Sequence, residues 1–242
     1  MFATPLTHTT ADVFGRIHGK YCVSASNVAK YDAWHGLIIP NETHPLRFNA
    51  TQVADYLATA LRWIAMAHSY DPQAIYPMIT WNCMPKSGAT IVHGHWQIAL
   101  TRGMHYARAE LWRRAAEQYL TKTGRSYWQD FANIHSALSL HIPSQITSDS
   151  VSAFAHLTPL RNNEIVIFQD TAALYSDMGH TLARCLHSFL RYLIDTQGMR
   201  AFNIGMALPP LQTTTESWQS VPVITRLGDR GPALTTRNDW GA

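Results

Sequence analysis

The chain has 242 residues, of which 46% are hydrophobic and only 14% charged, and its formal net charge is +3. This composition describes a compact globular protein with a rather apolar surface, and the high count of 8 Trp suggests extensive interfaces between halves or subunits. The charge is too small, and the Lys and Arg too scattered, to favour a nucleic-acid groove; an anionic small substrate suits it better.

Cysteine usage and the N-terminal sequence bear on cellular location. Cys22, Cys83 and Cys185 are odd in number and far apart, with no C-x-x-C motif, so we expect buried neutral thiols in a reduced intracellular protein. The N-terminus has no signal-peptide pattern, and no apolar run approaches the roughly 20 residues of a membrane span. A cytoplasmic protein without a membrane partner is therefore expected.

The first half of the chain predicts two pairs of strands, each pair followed by a helix. Short runs rich in β-branched or aromatic residues predict four strands, which are YCVSA, HGLIIP, MITWN and IVHGHWQIAL. Apolar residues at three- and four-residue spacing predict a helix from about Ala50 to Ser69, with Asn49 or Thr51 as its N-cap. A second helix is expected from about Met104 to Thr123, with Leu111, Ala115 and Leu120 on one side.

The second half repeats this order. The second half is preceded by a predicted helix around Tyr127 to Leu140 and a polar break at PSQITSDS. It then predicts, in order, the strands SAFAHLTPL and NEIVIF, a helix from about Thr171 to Gln197, and the strands AFNIGMAL and VPVITRLGD. Hairpins with an inserted helix predict an α+β fold of two tandem units, each an antiparallel sheet with helices. We expect a unit with the active site at 15–125, a connecting segment at 126–150 and a second, degenerate unit at 151–242. One larger α+β domain without internal symmetry is the alternative.

The stretch HGHWQ is the first candidate for chemistry. In a strand, alternate residues share a face, so His93, His95 and Gln97 would line one surface. A buried polar row without partners costs a few kcal/mol, so it should meet a ligand or a hydrogen-bond network. With 13 His in the chain, however, a His-x-His pair alone is expected by chance.

The turn before this stretch has the composition of an anion-binding loop. Lys86, Ser87, Gly88 and Thr90 would supply a cation, two hydroxyls and backbone N–H groups. Such a turn is by itself more often an ordinary hairpin loop. Together with the imidazole row it gathers donors, a cation and a nucleophile around one anion.

The spacing of these residues resembles that of a known family. Asn82-x5-Gly88-x-Thr90-x2-His93-x-His95-x-Gln97 matches the pattern of the galactose-1-phosphate uridylyltransferase branch of the histidine triad (HIT) superfamily, with Thr in place of Ser. A second stretch, Asn27-Val28-x6-His35-x-Leu37-x2-Pro40, is similar to the nucleoside-binding segment of histidine triad proteins. Both lie in the first half and in the family's order.

The resemblance implies a HIT-like fold and a role for each matching residue. His95 would attack the α-phosphorus of a nucleotide and His93 would orient it, while Gln97 and Thr90 would bond phosphate oxygens and Asn82 would hold the loop or the phosphate. Asn27 would bind the ribose and Val28 would pack on the base, with His35 in the same nucleoside-binding segment. A neutral imidazole, with an ordinary pKa near 6.5, is a competent nucleophile at neutral pH.

The expected function is nucleotidyl transfer through His95 to a sugar phosphate or phosphate, with a nucleotide or nucleotide sugar as donor. A phosphorylase or hydrolase of dinucleoside polyphosphates or nucleotide sugars, and an inactive nucleotide-binding regulatory protein, are the alternatives. Gln97 is typical of the transferases, since family members that hydrolyse have a third His there. The base, the acceptor and the oligomeric state stay open, although the Trp content favours a homodimer.

The sequence departs from the family pattern in its metal ligands. Some family members bind a structural metal through a C-x-x-C pair and two histidines, but this chain lacks C-x-x-C and retains only His44 and His93 as possible remnants. Two histidines do not make a tetrahedral zinc site. We therefore expect no cofactor and no metal, with a structural zinc as the alternative. The chain is also shorter than a full family member, which leaves the sugar contacts of the second unit open.

Overall fold

The computed structural model describes residues 5–142, 150–212 and 222–229, which form an α+β structure around one eight-stranded antiparallel sheet. All eight predicted strands are present. They are β1 Cys22–Ser26, β2 Trp34–Pro40, β3 Ala74–Cys83, β4 Trp96–Arg102, β5 Val151–Ala155, β6 Asn162–Gln169, β7 Phe202–Ala207 and β8 Val223–Asp229. The helices are α1 Pro5–His8, α2 Ala50–Tyr70, α3 Ala107–Thr123, α4 Tyr127–Ala137, α5 Thr171–Ser176 and α6 His180–Asp195.

The two halves of the sheet have the same strand order. The whole sheet runs β1-β2-β4-β3-β7-β8-β6-β5, so the first four strands are ordered 1-2-4-3 and the last four, read from the far edge, 5-6-8-7. β3 pairs with β7 from Met78–Ala207 to Cys83–Phe202, which joins the halves into one hydrogen-bonded layer. Each half also inserts helix between its second and third strands.

One face of the sheet is covered by α2 and α6, which lie against each other. The predicted periodicity of α2 is confirmed, since Val53, Leu57 and Ile64 are fully buried in the main core. Asn49 caps this helix: its side chain accepts a hydrogen bond from the Gln52 N–H at 2.9 Å, and the Gln52 side chain accepts one from the Asn49 N–H at 2.8 Å.

The opposite face is occupied differently in the two halves. In the second half, Trp128 and Phe131 of α4 pack with Phe154 and Phe168 of the sheet in a separate aromatic core. In the first half, a small apolar cluster is packed by Ile91 from the segment between β3 and β4; its buried members are Val23, Ala25, Leu37 and Ile39. The first half of this face is where the motif residues lie.

The packing side predicted for the helix after β4 is wrong. Leu111 and Leu120 of α3 are 69% and 48% exposed, and the residues that the helix buries are Ala109, Glu110 and Ala116. Glu110 is accommodated because Arg113 and Arg114 both contact its carboxylate, at 2.8 and 2.7 Å. Small and ion-paired side chains thus contact the protein together with the half-buried Trp112, while Leu111 and Leu120 face outward.

The single helix predicted from Thr171 to Gln197 is two helices. α5 and α6 are separated at Gly179, whose φ of +77° is left-handed, and the Asp177 carboxylate accepts hydrogen bonds at 2.9 Å from the N–H groups of Gly179 and Thr181. A Cβ at Gly179 would lie 2.5 Å from Cδ2 of Leu57. The break lets the start of α6 approach α2 closely.

Three further expectations concern the whole chain. The polar break PSQITSDS falls, except for its last residue, at 143–149, outside the described residues. Cys22, Cys83 and Cys185 are buried free thiols, as expected, and burial raises the pKa of each to about 12. Among the helices that the structure describes, none combines the length and apolar character needed to cross a membrane.

Candidate active site

The candidate phosphate-binding residues lie in a tight turn at the end of β3. Pro85–Ser87 form one turn of 3₁₀ helix between Met84 at φ +72° and Gly88 at φ +90°. The hydroxyl of Ser87 donates to the Met84 carbonyl at 2.7 Å and its side chain is buried, so in this structure Ser87 holds the turn itself. Lys86, Gly88 and Thr90 are exposed.

The two histidines of the motif precede β4 instead of lying within it, so the prediction of a strand from Ile91 is wrong. β4 begins at Trp96. The side chain of His93 forms a hydrogen bond with the backbone here: its Nε2 donates to the carbonyl of Pro40 at 2.8 Å. Gly94 also passes close to Pro45, since a Cβ on Gly94 would be 3.2 Å from Cα of Pro45. This approach and the His93 bond shape the segment before the ladder starts.

The ring of His95 is held in one tautomer. Its Nδ1 lies 3.0 Å from the backbone carbonyl of His93, and because a carbonyl oxygen only accepts, Nδ1 carries the proton and Nε2 the lone pair. His95 is 8% exposed. Burial lowers the pKa of its imidazole below the ordinary value, against the opposing effect of the His93 carbonyl. The ring is therefore neutral at pH 7 with its lone pair at Nε2.

Gln97, His35 and Asn27 form a cluster one strand away. Leu37 of β2 pairs with Gln97 of β4, and two residues before Leu37 the Nε2 of His35 lies 3.0 Å from Oε1 of Gln97 and 3.1 Å from Nδ2 of Asn27. Burial lowers the pKa of His35, although its bond to Gln97 acts in the opposite direction. The two predicted motifs therefore meet in space through Gln97 and His35.

Val28 lies in the turn that follows β1 and is 72% exposed. A cavity of about 600 Å³ adjoins it and Asn27, with Trp34, Asp71 and Arg102 on its other sides. Arg102 forms an ion pair with the buried Asp71 at 2.8 Å, which helps to hold the pKa of that carboxyl below its usual range. Two of the predicted nucleoside-binding residues, Asn27 and Val28, thus border an open polar cavity.

Asn82 contacts a residue that sequence reasoning missed. Nδ2 of Asn203, on β7, donates to Oδ1 of Asn82 at 2.6 Å and to the backbone carbonyl of Ser87 at 2.8 Å. The second half of the chain therefore contributes a buried side chain to the candidate phosphate loop. Its only sequence signal is a polar residue inside the apolar strand AFNIGMAL, which does not by itself reveal a partner on β3.

Two tyrosines near His35 were also missed. The ring of Tyr31 lies 3.9 Å from that of His35, centroid to centroid, and 5.8 Å from that of Tyr106. Burial raises the pKa of both phenols, so they are neutral donors at pH 7. Tyr31 lies inside the Asn27 to Pro40 stretch, which could have drawn attention to it; Tyr106 offered no such signal.

Strand register relates the polar clusters to one another. Thr80 of β3 pairs with Gln97 of β4, and side chains of paired residues project to the same face. Asn82, two residues after Thr80, shares that face. Gln97 with His35 and Asn82 with Asn203 therefore line one surface, with His95 directly upstream of β4.

Metal ligands do not converge in the described part of the chain: no three His, Cys, Asp or Glu side chains there could hold one ion. The nitrogen of His93 that faces Pro40 serves as a hydrogen-bond donor. His44 accepts a backbone N–H from Leu46 at 3.3 Å on Nδ1.

No family model and no curated protein matches this sequence. Solved structures do share its fold. An ADP-glucose phosphorylase from Arabidopsis thaliana, solved with bound ADP-glucose, superposes with a TM-score of 0.72 at 13% identity over 91% of this chain and 77% of that one. A GalT-like protein from the same plant gives 0.73 at 13% identity over 93% and 79%, and a uridylyltransferase gives 0.69 at 16% over 88% and 74%.

A GalT-like protein and a uridylyltransferase are thus among its structural neighbours, which agrees with the fold that the sequence motifs predicted. This chain shares their α+β fold, with an antiparallel sheet and helices. At 13–16% identity the likeness concerns the fold. The chemistry has to be argued from the residues of this chain.

Proposed function

We propose that this protein is a nucleotidyltransferase that moves a nucleoside monophosphate through a covalent nucleotidyl-histidine on His95 to a sugar phosphate or phosphate acceptor. One observation carries the proposal: the Nδ1–H of His95 points at the His93 carbonyl, 3.0 Å away, which leaves the lone pair on Nε2. The solved structures that share this fold, among them an ADP-glucose phosphorylase and a uridylyltransferase, support an enzyme that transfers nucleotides to or from sugar phosphates.

The reaction has two in-line displacements at one phosphorus. In the first, the lone pair of His95 Nε2 forms a P–N bond to the α-phosphorus while the P–O bond to the leaving phosphate breaks and that oxygen takes its electron pair. In the second, an oxygen of the acceptor phosphate forms a P–O bond while the P–N bond breaks and its electrons return to Nε2. The His95 ring is cationic in the intermediate, and the Nδ1 hydrogen bond to the His93 carbonyl stabilises that charge.

Positioned donors would supply the remaining catalysis, because phosphoryl transfer depends largely on placement and charge stabilisation. Thr90, Lys86 and the backbone at Gly88 are exposed and suited to phosphate oxygens. Gln97 contacts His35 through Oε1, so its amide nitrogen is the part that would donate to the phosphate.

The nucleoside would bind at the other end of this surface. Asn27 and His35 are the polar groups there, Val28 is the exposed apolar contact for a base, and the neutral phenols of Tyr31 and Tyr106 are nearby. Asn82 would act on the loop, because Asn203 ties it to the turn that carries Gly88. A nucleotide or nucleotide sugar is thus the donor class.

A phosphorylase is the second candidate, favoured by the likeness to the ADP-glucose phosphorylase. It would use the same first step, with inorganic phosphate as the acceptor in the second. Hydrolysis would replace that acceptor with water, and an inactive regulatory protein would bind nucleotide without the first step.

The second half is proposed to be a degenerate HIT-like unit at 151–242, joined by 126–150 to the active unit at 15–125. The matching strand orders 1-2-4-3 and 5-6-8-7 support this division. α4, inside the proposed connecting segment, packs on strands of the second half. The sequence-based expectations of a homodimer, a cytoplasmic location and the absence of metal stay predictions.

The adduct can be measured directly. Wild-type protein is incubated separately with UDP-glucose, ADP-glucose and diadenosine tetraphosphate, and its intact mass is recorded. We expect an added nucleoside monophosphate with one donor, loss of it in His95→Ala, and retention in the control His44→Ala, an exposed histidine outside the cluster. The donor that labels identifies the base. Nucleotide binding without an adduct from any donor would support the regulatory protein instead.

A further inference from the structure

A second cavity lies in the half of the chain that lacks the His-x-His motif. Its volume is about 440 Å³, within the range of small-molecule sites. It opens between α3, α4 and the turn joining β5 to β6, on the face of the sheet that α4 covers. The aromatic part of its lining is Trp112, Tyr119, Tyr127, Phe131, His135 and His156. A cavity of this size with aromatic walls suits a small planar molecule.

The rings that form these walls are held in place by one another. Since an indole N–H only donates, Trp112 donates its hydrogen bond to the phenol oxygen of Tyr127. The rings of Phe131 and His135 stack at 3.8 Å, and the ring of Tyr127 lies 6.2 Å from that of Phe131. The aromatic walls are thus formed before a ligand arrives, which lowers the entropy that binding costs.

The imidazole of His156 can donate a hydrogen bond to a ligand in this cavity. Its Nδ1 accepts the N–H of Thr158 at 3.1 Å, so the neutral ring carries its proton on Nε2. Burial lowers the pKa of His156 to about 4, and nearby positive charges act in the same direction, so the ring is neutral at pH 7. Within the part of the chain that the structure describes, no group accepts a hydrogen bond from this Nε2–H.

Two other polar groups of the lining are already bonded within the protein. His135 uses both ring nitrogens: Nδ1 donates to the Phe131 carbonyl at 2.7 Å, and Nε2 accepts the N–H of Leu157 at 3.2 Å. Asp130 forms an ion pair with Arg125 at 2.6 Å. These bonds hold the walls together and occupy polar atoms that would otherwise compete for a ligand.

The cavity lies where the second half corresponds to the proposed nucleoside site of the first. The backbone N–H of Asn27 donates to the carbonyl of His35 at 2.9 Å, and the backbone N–H of His156 donates to the carbonyl of Glu164 at 3.0 Å. Each bond closes the hairpin between the first two strands of its half. His156 therefore has the register position that Asn27, the proposed ribose contact, has in the first half.

Exposed aliphatic side chains surround the mouth of the cavity. Leu111, Ile134, Leu157 and Leu160 all line it, and all are exposed to solvent. Exposed apolar patches of this kind mark binding sites. They would cover the edge of a ring that lies between the aromatic walls.

We propose that this cavity is a second ligand site, which binds a planar heteroaromatic compound of nucleobase or nucleoside size with a hydrogen-bond acceptor on its ring. The ring would lie among Trp112, Tyr127 and Phe131, and its acceptor would bond to the Nε2–H of His156. It is a binding site, and its occupancy does not depend on nucleotidyl transfer at His95.

Methyl NMR separates the two sites in one titration. The probe is adenosine, added to the whole chain with ¹³C-labelled isoleucine and valine methyl groups, assigned through Ile134→Val and Val28→Ala. Ile134 lines the second cavity, and Val28 borders the proposed nucleoside site. We expect the Ile134 δ1 methyl to shift saturably, whether or not Val28 responds.

Benzimidazole and indole, which differ by one ring atom, test the hydrogen bond to His156. Benzimidazole has an acceptor nitrogen where indole has a carbon, and it is neutral at pH 8. His156→Phe keeps an aromatic ring but removes the Nε2–H, so it should weaken benzimidazole binding, read at Ile134, by about fivefold and leave indole binding unchanged. His44→Phe is the matched control: His44 is exposed and does not line the cavity, so neither affinity should change.

Three results would overturn the inference. These are no shift at Ile134 with adenosine or benzimidazole up to saturation of solubility, an equal change of both affinities in His156→Phe, and a shift that follows protein concentration without ligand. The last would identify the mouth as a contact between two copies of the chain. A response at Val28 alone would leave the proposed function standing while removing this site.

Discussion

His95 and His35 show how burial sets the chemistry of single residues. Both imidazoles have a lowered pKa, chiefly because burial disfavours the charged ring. His95 bonds a carbonyl through Nδ1, whereas Nε2 of His35 faces Gln97 and Asn27. His95 thus directs Nδ1 to the backbone and keeps its lone pair at Nε2, while Nε2 of His35 lies close to two motif side chains, the oxygen of Gln97 and the amide nitrogen of Asn27.

The pH dependence of the first step follows from the sign of this shift. Since only neutral His95 attacks phosphorus and burial lowers its pKa below 6.5, the rate of nucleotidylation should fall to half of its plateau value only below pH 6.5. Rapid-quench mass spectrometry on both sides of that pH measures it. A rate that already halves between pH 7.5 and 6.5 would contradict the lowered pKa.

At the scale of elements, the regular parts were predictable and the interruptions were not. Alternation and helical periodicity identified all eight strands and α2, because burial of one face dictates those patterns. The start of β4 was missed because His93 bonds the Pro40 carbonyl, a contact with a residue far along the chain. The exposure of Leu111 was missed for another reason: this side chain lines a cavity at the surface and does not pack in the core.

The break at Gly179 can be tested by substitution. Gly179→Ala should lower the free energy of unfolding by about 2–4 kcal/mol, because it combines a left-handed φ with a Cβ only 2.5 Å from Leu57. Gly124→Ala is the matched control: its φ is +68°, but nothing lies within 4 Å of the added Cβ, so about 1 kcal/mol is expected. Urea denaturation measures both. Equal losses would mean that the contact between α6 and α2 is less tight than described.

At the scale of the whole molecule, the two halves are not independent. Asn203 of β7 reaches Asn82 and the Ser87 carbonyl across the central strand pair. The motifs of the first half could be recognised from spacing alone. This contact could not, since nothing in the sequence specifies that β3 pairs with β7.

Asn203→Ala should slow nucleotidylation of His95 by about tenfold, roughly 1.4 kcal/mol in activation free energy, because the turn carrying Gly88 loses its support. Gly179→Ala serves as the control, since it destabilises the protein without contacting the turn. Initial rates of adduct formation are compared at a temperature where both variants are folded. An equal slowing in both would assign the effect to stability.

Acid should destabilise the fold well before carboxylates titrate. His105 and His156 have pKa values of about 4 in the folded protein but near 6.5 when unfolded, so the unfolded state binds more protons between these values. The free energy of unfolding should therefore fall from pH 7 to pH 5. His105 contributes because its buried ring donates to the Leu208 carbonyl and accepts from the Tyr106 N–H, which fixes the neutral form.

Urea titrations at pH 7 and pH 5 measure this difference. It should shrink in His105→Gln and persist in the exposed-site control His44→Gln. A stability that is unchanged or higher at pH 5 in the wild-type protein would contradict the assigned neutral state.

The central claim is that the nucleotide is carried on Nε2 of His95. The most direct measurement is tandem mass spectrometry of protein quenched at alkaline pH after reaction with the donor that labels it, since a phosphoramidate survives base and is lost in acid. The account predicts the nucleoside monophosphate on the peptide that contains His95, its disappearance on acid treatment, and its transfer to added sugar phosphate or phosphate. A label on any other residue, or product formation by an unlabelled His95→Ala protein, would contradict it.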